Sequence, residues 1–382
     1  MSSSPSQRTC LTLIRTFAAS TIAGALALCL QTAQARPGQV AGAGVWIPAG
    51  TRTTNQQAVS AVQLTSGSVV VAGYESDAVD IYDPLTWSWS RGPNLLRARS
   101  LHSLTALNDG GILAVGGLDV PRFPFTGEPQ AYGAERFDAQ GLRWYGAGDG
   151  LLYPKRTSHV AVMLASGKVL VAGGCELDRV SECFLPLTNS QLYDPQSNRW
   201  ENTGSLNQAR YLASAVRLSD GRVLIMGGVS EPGKTWDFMS GLRSAELYNP
   251  SDGTWSLVAD MQRPRFINTA TLLSDGQVLI AGNSTSLMDN PPLEPKREGT
   301  SEIYDPATGE WSHLVDMVGP SDVGIDAVAL GDGRVLVAGG AWLSRIGSPK
   351  FAAQVYDPVA HAWSLVATCT TTSAGMRMSS FS

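Results

Sequence analysis

Four arginines recur at one register. Arg99, Arg156, Arg210 and Arg265 each stand eleven residues ahead of the first glycine of a short apolar run, and Gln56 and Asp322 hold that register before two further runs. Guanidiniums brought into a ring could clamp a carboxylate or sulfate through paired hydrogen bonds. The loss of Arg at Gln56 and Asp322 would leave such a pocket lopsided, which suits an asymmetric ligand. Three residues further on, the same register reads Val59, His102, His159, Ala213, Asn268 and Ile325. His102 and His159 come from adjacent units and could act as an acid–base pair or hold a metal. Two imidazoles without a third ligand make a poor metal site, so no metal is assigned. A structural reading stands beside the chemical one: acids at Asp80, Glu135, Glu246 and Glu302 sit where they could pair with the arginines, and both histidines could be core residues.

These residues ride on a repeat. Six apolar runs follow small turns, starting at Gly67, Gly110, Gly167, Gly221, Gly276 and Gly333, with spacings between 43 and 57 residues. After each run and a loop comes an aromatic: Tyr82, Phe137, Tyr193, Tyr248, Tyr304 and Tyr356. A Trp follows each aromatic by seven residues: Trp89, Trp144, Trp200, Trp255, Trp311 and Trp363. Runs such as Val169–Ala172 are short and apolar on both faces, as a strand buried on both sides reads. The Asp-Gly or similar pair ahead of a run supplies a tight turn, and Pro after Tyr-Asp ends a ladder. Each unit therefore holds four strands: an entry strand such as His159–Leu164, the apolar run, the strand into Tyr-Asp-Pro, and a Trp strand whose ring is expected to cover the seam with the next unit. A sheet apolar on both faces cannot stand alone, and radial packing of six or seven such sheets buries both.

Composition agrees. The chain has 382 residues, of which 16% are charged, with 40 Gly and 10 Trp. So little charge excludes a disordered polyelectrolyte. A net charge of −5 argues against a nucleic-acid surface, and none is expected as a partner.

The Gly-Gly doublets Gly116-Gly117, Gly173-Gly174, Gly227-Gly228 and Gly339-Gly340, followed by the Tyr and the Trp, resemble the kelch repeat. Two copies depart from it, at Gly73-Tyr74 and Gly282-Asn283. The resemblance covers residues 46–366 and implies an all-β fold, a β-propeller of six four-stranded kelch blades. It also implies a scaffold role for the arginines, since kelch repeats often pair Arg at this register with the acid before the Tyr. Trp46 looks like the outer strand of a preceding blade, so seven blades stay open, while the tail at 367–382 offers at most one more strand.

The first 35 residues read as a cleaved secretory signal: Arg8 and Arg15 ahead of an apolar stretch from Phe17 to Leu30, then Ala33-Gln34-Ala35. Residues 36–45 would be a linker. Cleavage would take the net charge from −5 to −7. The expected location is exported, periplasmic or secreted, with no transmembrane segment after cleavage. An oxidising compartment would let Cys175 and Cys183 bridge; Cys369 has no evident partner.

Loops at 118–133, 175–189, 229–244, 284–300 and 341–352 vary between repeats. Varying loops converging on one face are free to carry binding. Trp236 and Trp342 lie in them, suited to stacking on a sugar or anchoring a protein. His313 and His361 sit beside outer-strand Trp residues and read as solvated. Secreted copper radical oxidases resemble this architecture, but they need two His, two Tyr and a cross-linked Cys around one copper. Only four His exist here, so no copper or other cofactor is expected. The sequence leaves catalysis open and leans against it. The first expectation is an exported monomeric propeller binding a protein or glycan partner through its channel-mouth loops. The alternative is a periplasmic mutarotase or epimerase acting on an acidic sugar such as a sialic acid, by analogy with exported bacterial kelch proteins of this size.

Overall fold

The computed structural model describes residues 52–54, 58–73, 76–119, 130–131, 133–140, 142–148, 155–177, 183–232, 240–282, 299–312, 315–319, 325–339, 350–372 and 375–380. The signal, the linker, Trp46, Gln56, Trp236, His313, Asp322 and Trp342 lie outside these residues. Among the described residues the chain is all-β, and it forms a six-bladed propeller in which antiparallel strands follow one another from the axis outward.

Blade 3 shows the plan. Its inner strand Val160–Met163 pairs with the run Val169–Ala172, which pairs with Ser190–Asp194, which pairs with Arg199–Thr203. The inner strands of the other blades are Ala58–Gln63, Ser103–Ala106, Ser214–Arg217, Thr269–Leu272 and Ile325–Ala329. Each four-strand plan comes from one continuous stretch of chain, so among the described residues no strand is shared between blades 6 and 1. In blade 5 the outer strand is split into Glu310–Trp311 and Val315–Asp316. Blade 6 has a fifth strand. Its Trp strand runs on to Thr372 and returns as Gly375–Ser380, so the segment expected as a tail after residue 366 continues the sheet. Threonines at 368 and 370–372 suit an extended strand.

The period-two pattern of the runs explains the ring. Ile112 and Ala114 pack against Val70 and Ala72 of blade 1. Leu113 and Val115, pointing the other way, pack against Val169 and Val171 of blade 3. Each aromatic and its Trp face one another across a strand pair, with ring centroids 5.0 to 5.4 Å apart. The Trp seals the seam with the preceding blade rather than the next one. Trp144 donates to the Pro93 carbonyl at 3.0 Å, Trp200 to Ala147 at 2.9 Å, Trp255 to Gly204 at 3.0 Å and Trp311 to Ala259 at 2.8 Å. The acceptors lie just beyond the previous blade's outer strand, which the indole edge reaches from its own strand.

Candidate functional site: the channel mouth and its arginine struts

The mouth of the channel is built where each linker enters its inner strand and meets the Gly doublet. In blades 2, 3 and 4 both glycines are left-handed, with Gly116 and Gly117 at φ 62° and 89°. A Cβ on Gly116 would stand 2.2 Å from the Arg156 carbonyl, and one on Gly117 2.7 Å from the Ser100 carbonyl. Only glycine allows both the backbone angle and the approach. Through that approach the Gly117 amide donates to the Arg156 carbonyl of the next blade at 3.0 Å, Gly174 to Arg210 at 2.8 Å and Gly228 to Arg265 at 2.8 Å.

The arginine side chains turn the other way, into their own blades. Arg99, Arg156, Arg210 and Arg265 are each at most 2% exposed. Their Nη1 atoms donate to the first glycine of the doublet register, at 2.6 Å to Gly116, 2.9 Å to Gly173, 2.9 Å to Gly227 and 2.8 Å to Gly282. Arg99, Arg210 and Arg265 pair with Glu135, Glu246 and Glu302 at 2.6, 2.9 and 2.8 Å. The same carboxylates accept linker amides: Leu96 on Glu135, Asn207 and Gln208 on Glu246, Gln262 and Arg263 on Glu302. Each acid thus holds the linker that delivers its arginine. All four candidate clamp residues are buried inside their blades, as the scaffold reading has it, and for Arg99, Arg210 and Arg265 a carboxylate of the same blade takes the fork.

Blade 3 departs from this plan. Gln191 stands at its acid register, Arg156 also donates to the Asn189 carbonyl at 2.9 Å, and burial lowers its guanidinium to about 10, still charged at neutral pH. In blade 1, Asp80 accepts from Arg52 at 2.9 Å and from Thr54 at 2.5 Å, and also from Thr53. Burial raises the Asp80 carboxyl, but these bonds outweigh it and leave it below the usual carboxylate range. In blade 6, Gln354 accepts the Val318 and Gly319 amides, each at 2.9 Å. Gln354 anchors its linker as Glu302 does, although it carries no charge.

His102 and His159 lie beside the struts but in separate seams. Leu104 packs into the cluster shared with blade 1, so His102, two residues earlier, turns to blade 1. Ala161 and Met163 pack toward Leu107 and Leu113 of blade 2, so His159 turns to blade 2. There its Nε2 lies 2.9 Å from Ser103 Oγ. Burial pushes each imidazole down to about 3, helped for His102 by Arg99 and for His159 by Arg156. Both rings are neutral at ordinary pH. His102 Nδ1 and Nε2 and His159 Nδ1 are buried with no partner among the described residues. The Ser103–His159 contact lacks what a nucleophile pair needs. No carboxylate orients Nδ1, so depressed a ring is a feeble base, and the nearby Gly116 and Gly117 amides already donate to Gly133 and Arg156 carbonyls. His361 is exposed, with Nδ1 3.3 Å from the Tyr356 hydroxyl. No group of three or more metal-ligating side chains occurs among the described residues.

One feature of the mouth had no sequence signal. Two residues after each arginine, Leu101, Ser158, Leu212 and Ile267 all have left-handed backbones, at φ 55°, 54°, 56° and 50°. Leu and the β-branched Ile rarely take this conformation, which costs about 1 kcal/mol or more per residue. The strained residues are tied blade to blade. The Ser158 amide donates to the Leu101 carbonyl at 3.2 Å, Leu212 to Ser158 at 2.9 Å and Ile267 to Leu212 at 3.1 Å. They form a collar round the mouth from blade 2 to blade 5. Beside the collar, Cys175 and Cys183 form a disulfide with Cα atoms 5.6 Å apart, closing the ribbon Cys175–Leu177 with Cys183–Pro186. Cys175 packs with Tyr211, Val229 and Phe266, against which Leu212 and Ile267 also lie. The ribbon presents Phe184 and Leu185 to solvent, 63% and 47% exposed. Cys369 lies in register opposite Met378.

Comparison with known proteins bears on the repeat and the fold. Residues 210–262 match the Kelch motif. Over 266 residues the chain is 28% identical to Kelch-like protein 25 of Xenopus tropicalis, covering 67% of this chain and 39% of that protein. Over 308 residues it is 24% identical to Kelch-like protein 23 of Pongo abelii, covering 79% of this chain and 48% of that protein. The chain thus spans less than half the length of these relatives. Among solved structures, a fungal alcohol oxidase of the AA5 family, in complex with copper, superposes with a TM-score of 0.56 at 16% identity, covering 78% of this chain and 69% of that one. That likeness shows the fold alone. Together the motif and the kelch-like relatives support a kelch-repeat family.

Proposed function

We propose that this propeller is a binding module that engages a protein partner through its channel-mouth loops. The observation that carries the reading is the apolar ribbon beside the collar. A disulfide staples a short hairpin so that Phe184 and Leu185 stand in solvent on a rigid base, while all four arginines nearby are buried and hydrogen-bonded inside their blades. Rigid, exposed apolar anchors on a fixed loop are what a protein interface uses. The kelch-like relatives, whose family these matches support, favour the same class of function. Export belongs to this proposal too: the N-terminal signal pattern and the disulfide both suit an oxidising compartment. No helix among the described residues is long and apolar enough to cross a membrane. The acidic-sugar reading loses its motive where Arg99, Arg210 and Arg265 already hold carboxylates.

Site-specific photocrosslinking in the native host tests this. A photoreactive residue at Phe184 is expected to give one discrete adduct, which excess unlabelled protein competes away. The same residue at Val359, a 91%-exposed apolar position in a Tyr-Asp-Pro turn, is expected to give none. Equal adducts from both positions, or none from Phe184, would overturn the proposal.

A further inference from the structure

The two seams flanking blade 2 are built unlike the others. The ring register places His102 in the seam between blades 1 and 2 and His159 in the seam between blades 2 and 3. In blades 4 and 5 the same register holds Ala213 and Asn268, which do not titrate. His102 is 7% exposed, and neither of its ring nitrogens has a partner among the described residues. His159 keeps one bond, to Ser103, and its Nδ1 is sealed. Its ring is pressed close to the doublet: a Cβ on Gly116 would meet His159 Cε1 at 2.9 Å. A second proton on either ring would create a buried cation with a new N–H donor and nothing to receive it.

The described surroundings offer no compensation. The inner strands and apolar runs of blades 1, 2 and 3 carry no titratable side chain: Ala58–Gln63, Val69–Gly73, Ser103–Ala106, Ile112–Val115, Val160–Met163 and Val169–Ala172. Among the described residues, the charged groups nearby are Arg99 with its partner Glu135, Arg156, and the other imidazole. The two guanidiniums repel an imidazolium, and Glu135 is already engaged by Arg99 and the Leu96 amide. A protonated ring can gain hydration only by leaving its seam. Nor do the described strands cross between these blades, since each sheet is made from one stretch of chain.

We propose that the seams on either side of blade 2 form an acid-sensitive device, in which protonation of His102 and His159 opens blade 2 from its neighbours while blades 4 and 5 stay docked. The inference does not depend on the partner proposed above. It gives the two buried imidazoles a reason to stand where apolar residues would pack with less cost.

Hydrogen exchange measured by mass spectrometry at pH 7 and pH 5, corrected for the pH dependence of intrinsic exchange, tests it on the intact protein. Opening linked to one imidazole of ordinary affinity in the open state rises about 30-fold at pH 5. Amides of Ser103–Ala106 and Val160–Met163 are therefore expected to lose at least that much protection, while those of Thr269–Leu272 and Val278–Gly282 change less than threefold. Replacing both histidines, His102→Leu with His159→Gln, is expected to abolish the pH response in blades 2 and 3. Uniform loss of protection across all blades in the wild type would overturn the proposal without need of any variant, as would a response that survives in a folded double variant.

Discussion

Glu246→Ala is expected to destabilise the protein by about 3–5 kcal/mol, because it leaves the Arg210 guanidinium charged and buried without its counter-ion. Both side chains of this pair have no exposed surface, and they meet at 2.9 Å. Glu246 also accepts the Asn207 and Gln208 amides at 2.7 and 3.0 Å, so its loss frees the linker that feeds blade 4. Arg210 keeps two carbonyl acceptors, Gly227 and Ser244, at 2.9 and 3.0 Å, which hold the cation in place but do not neutralise it. Burial already lowers the Arg210 guanidinium, and Glu246 acts against that fall. Glu246→Gln is expected to cost less than half as much. Glutamine stands at this register in blade 3 as Gln191 and in blade 6 as Gln354, and Gln354 shows that an amide oxygen serves both linker amides. Urea unfolding of the three proteins measures the difference. Equal costs for Ala and Gln would show that charge is not what the pair contributes.

Asp326→Asn is expected to stabilise the protein by about 2 kcal/mol above pH 7 and to change little below pH 4. Asp326 lies on the inner strand of blade 6, on the face opposite Ile325 and Ala327, which pack toward blade 5. It shares that face with Val328, which packs within blade 6. Burial pushes its carboxyl up to about 6, only partly offset by the bond it accepts from the Ala327 amide at 2.8 Å. A group raised in the folded state favours folding below its unfolded value, near 3.8. That benefit is lost as pH climbs through about 6, and above it the native state carries a poorly solvated charge. Asparagine keeps the polar shape and removes the charge. The check is the stability difference between variant and wild type at pH 4 and pH 8. A difference independent of pH would place Asp326 in ordinary water.

The repeat was legible because its physics is written in residue types that tolerate few substitutes. The aromatic–Trp spacing of seven becomes a cross-strand ring pair in every blade, as with Tyr193 and Trp200 at 5.0 Å. The doublets became left-handed turns because Gly116 and Gly117 meet carbonyls at distances no Cβ survives. The arginine register was equally visible, but its direction was not. Sequence sets Arg210 and Glu246 at constant offsets without saying whether the fork turns to the channel or into the sheet, and burial with an acid in the same blade decided it. The collar could not be read at all. Leu101, Leu212 and Ile267 are poor candidates for a left-handed backbone, and only the doublet below and the neighbouring blade's amide force them into it. Asp326 gives no signal for a related reason: one carboxylate in an inner strand reads as a solvated edge, and only the folded sheet takes it out of water.

The arginines are struts of the mouth or receptors in it, and the two roles give different side-chain exchange. The most direct measurement is the side-chain NMR of guanidinium Nε–H groups in protein labelled with 15N-arginine, with and without N-acetylneuraminate and glucuronate. The structure predicts slowly exchanging signals for Arg99 and Arg265, whose Nε atoms donate to Glu135 and Glu302 at 3.0 and 3.2 Å, and no displacement of either by an acidic sugar. Rapid exchange of these signals, with a saturable shift on adding either acid, would contradict the account and return the channel to a small-molecule site.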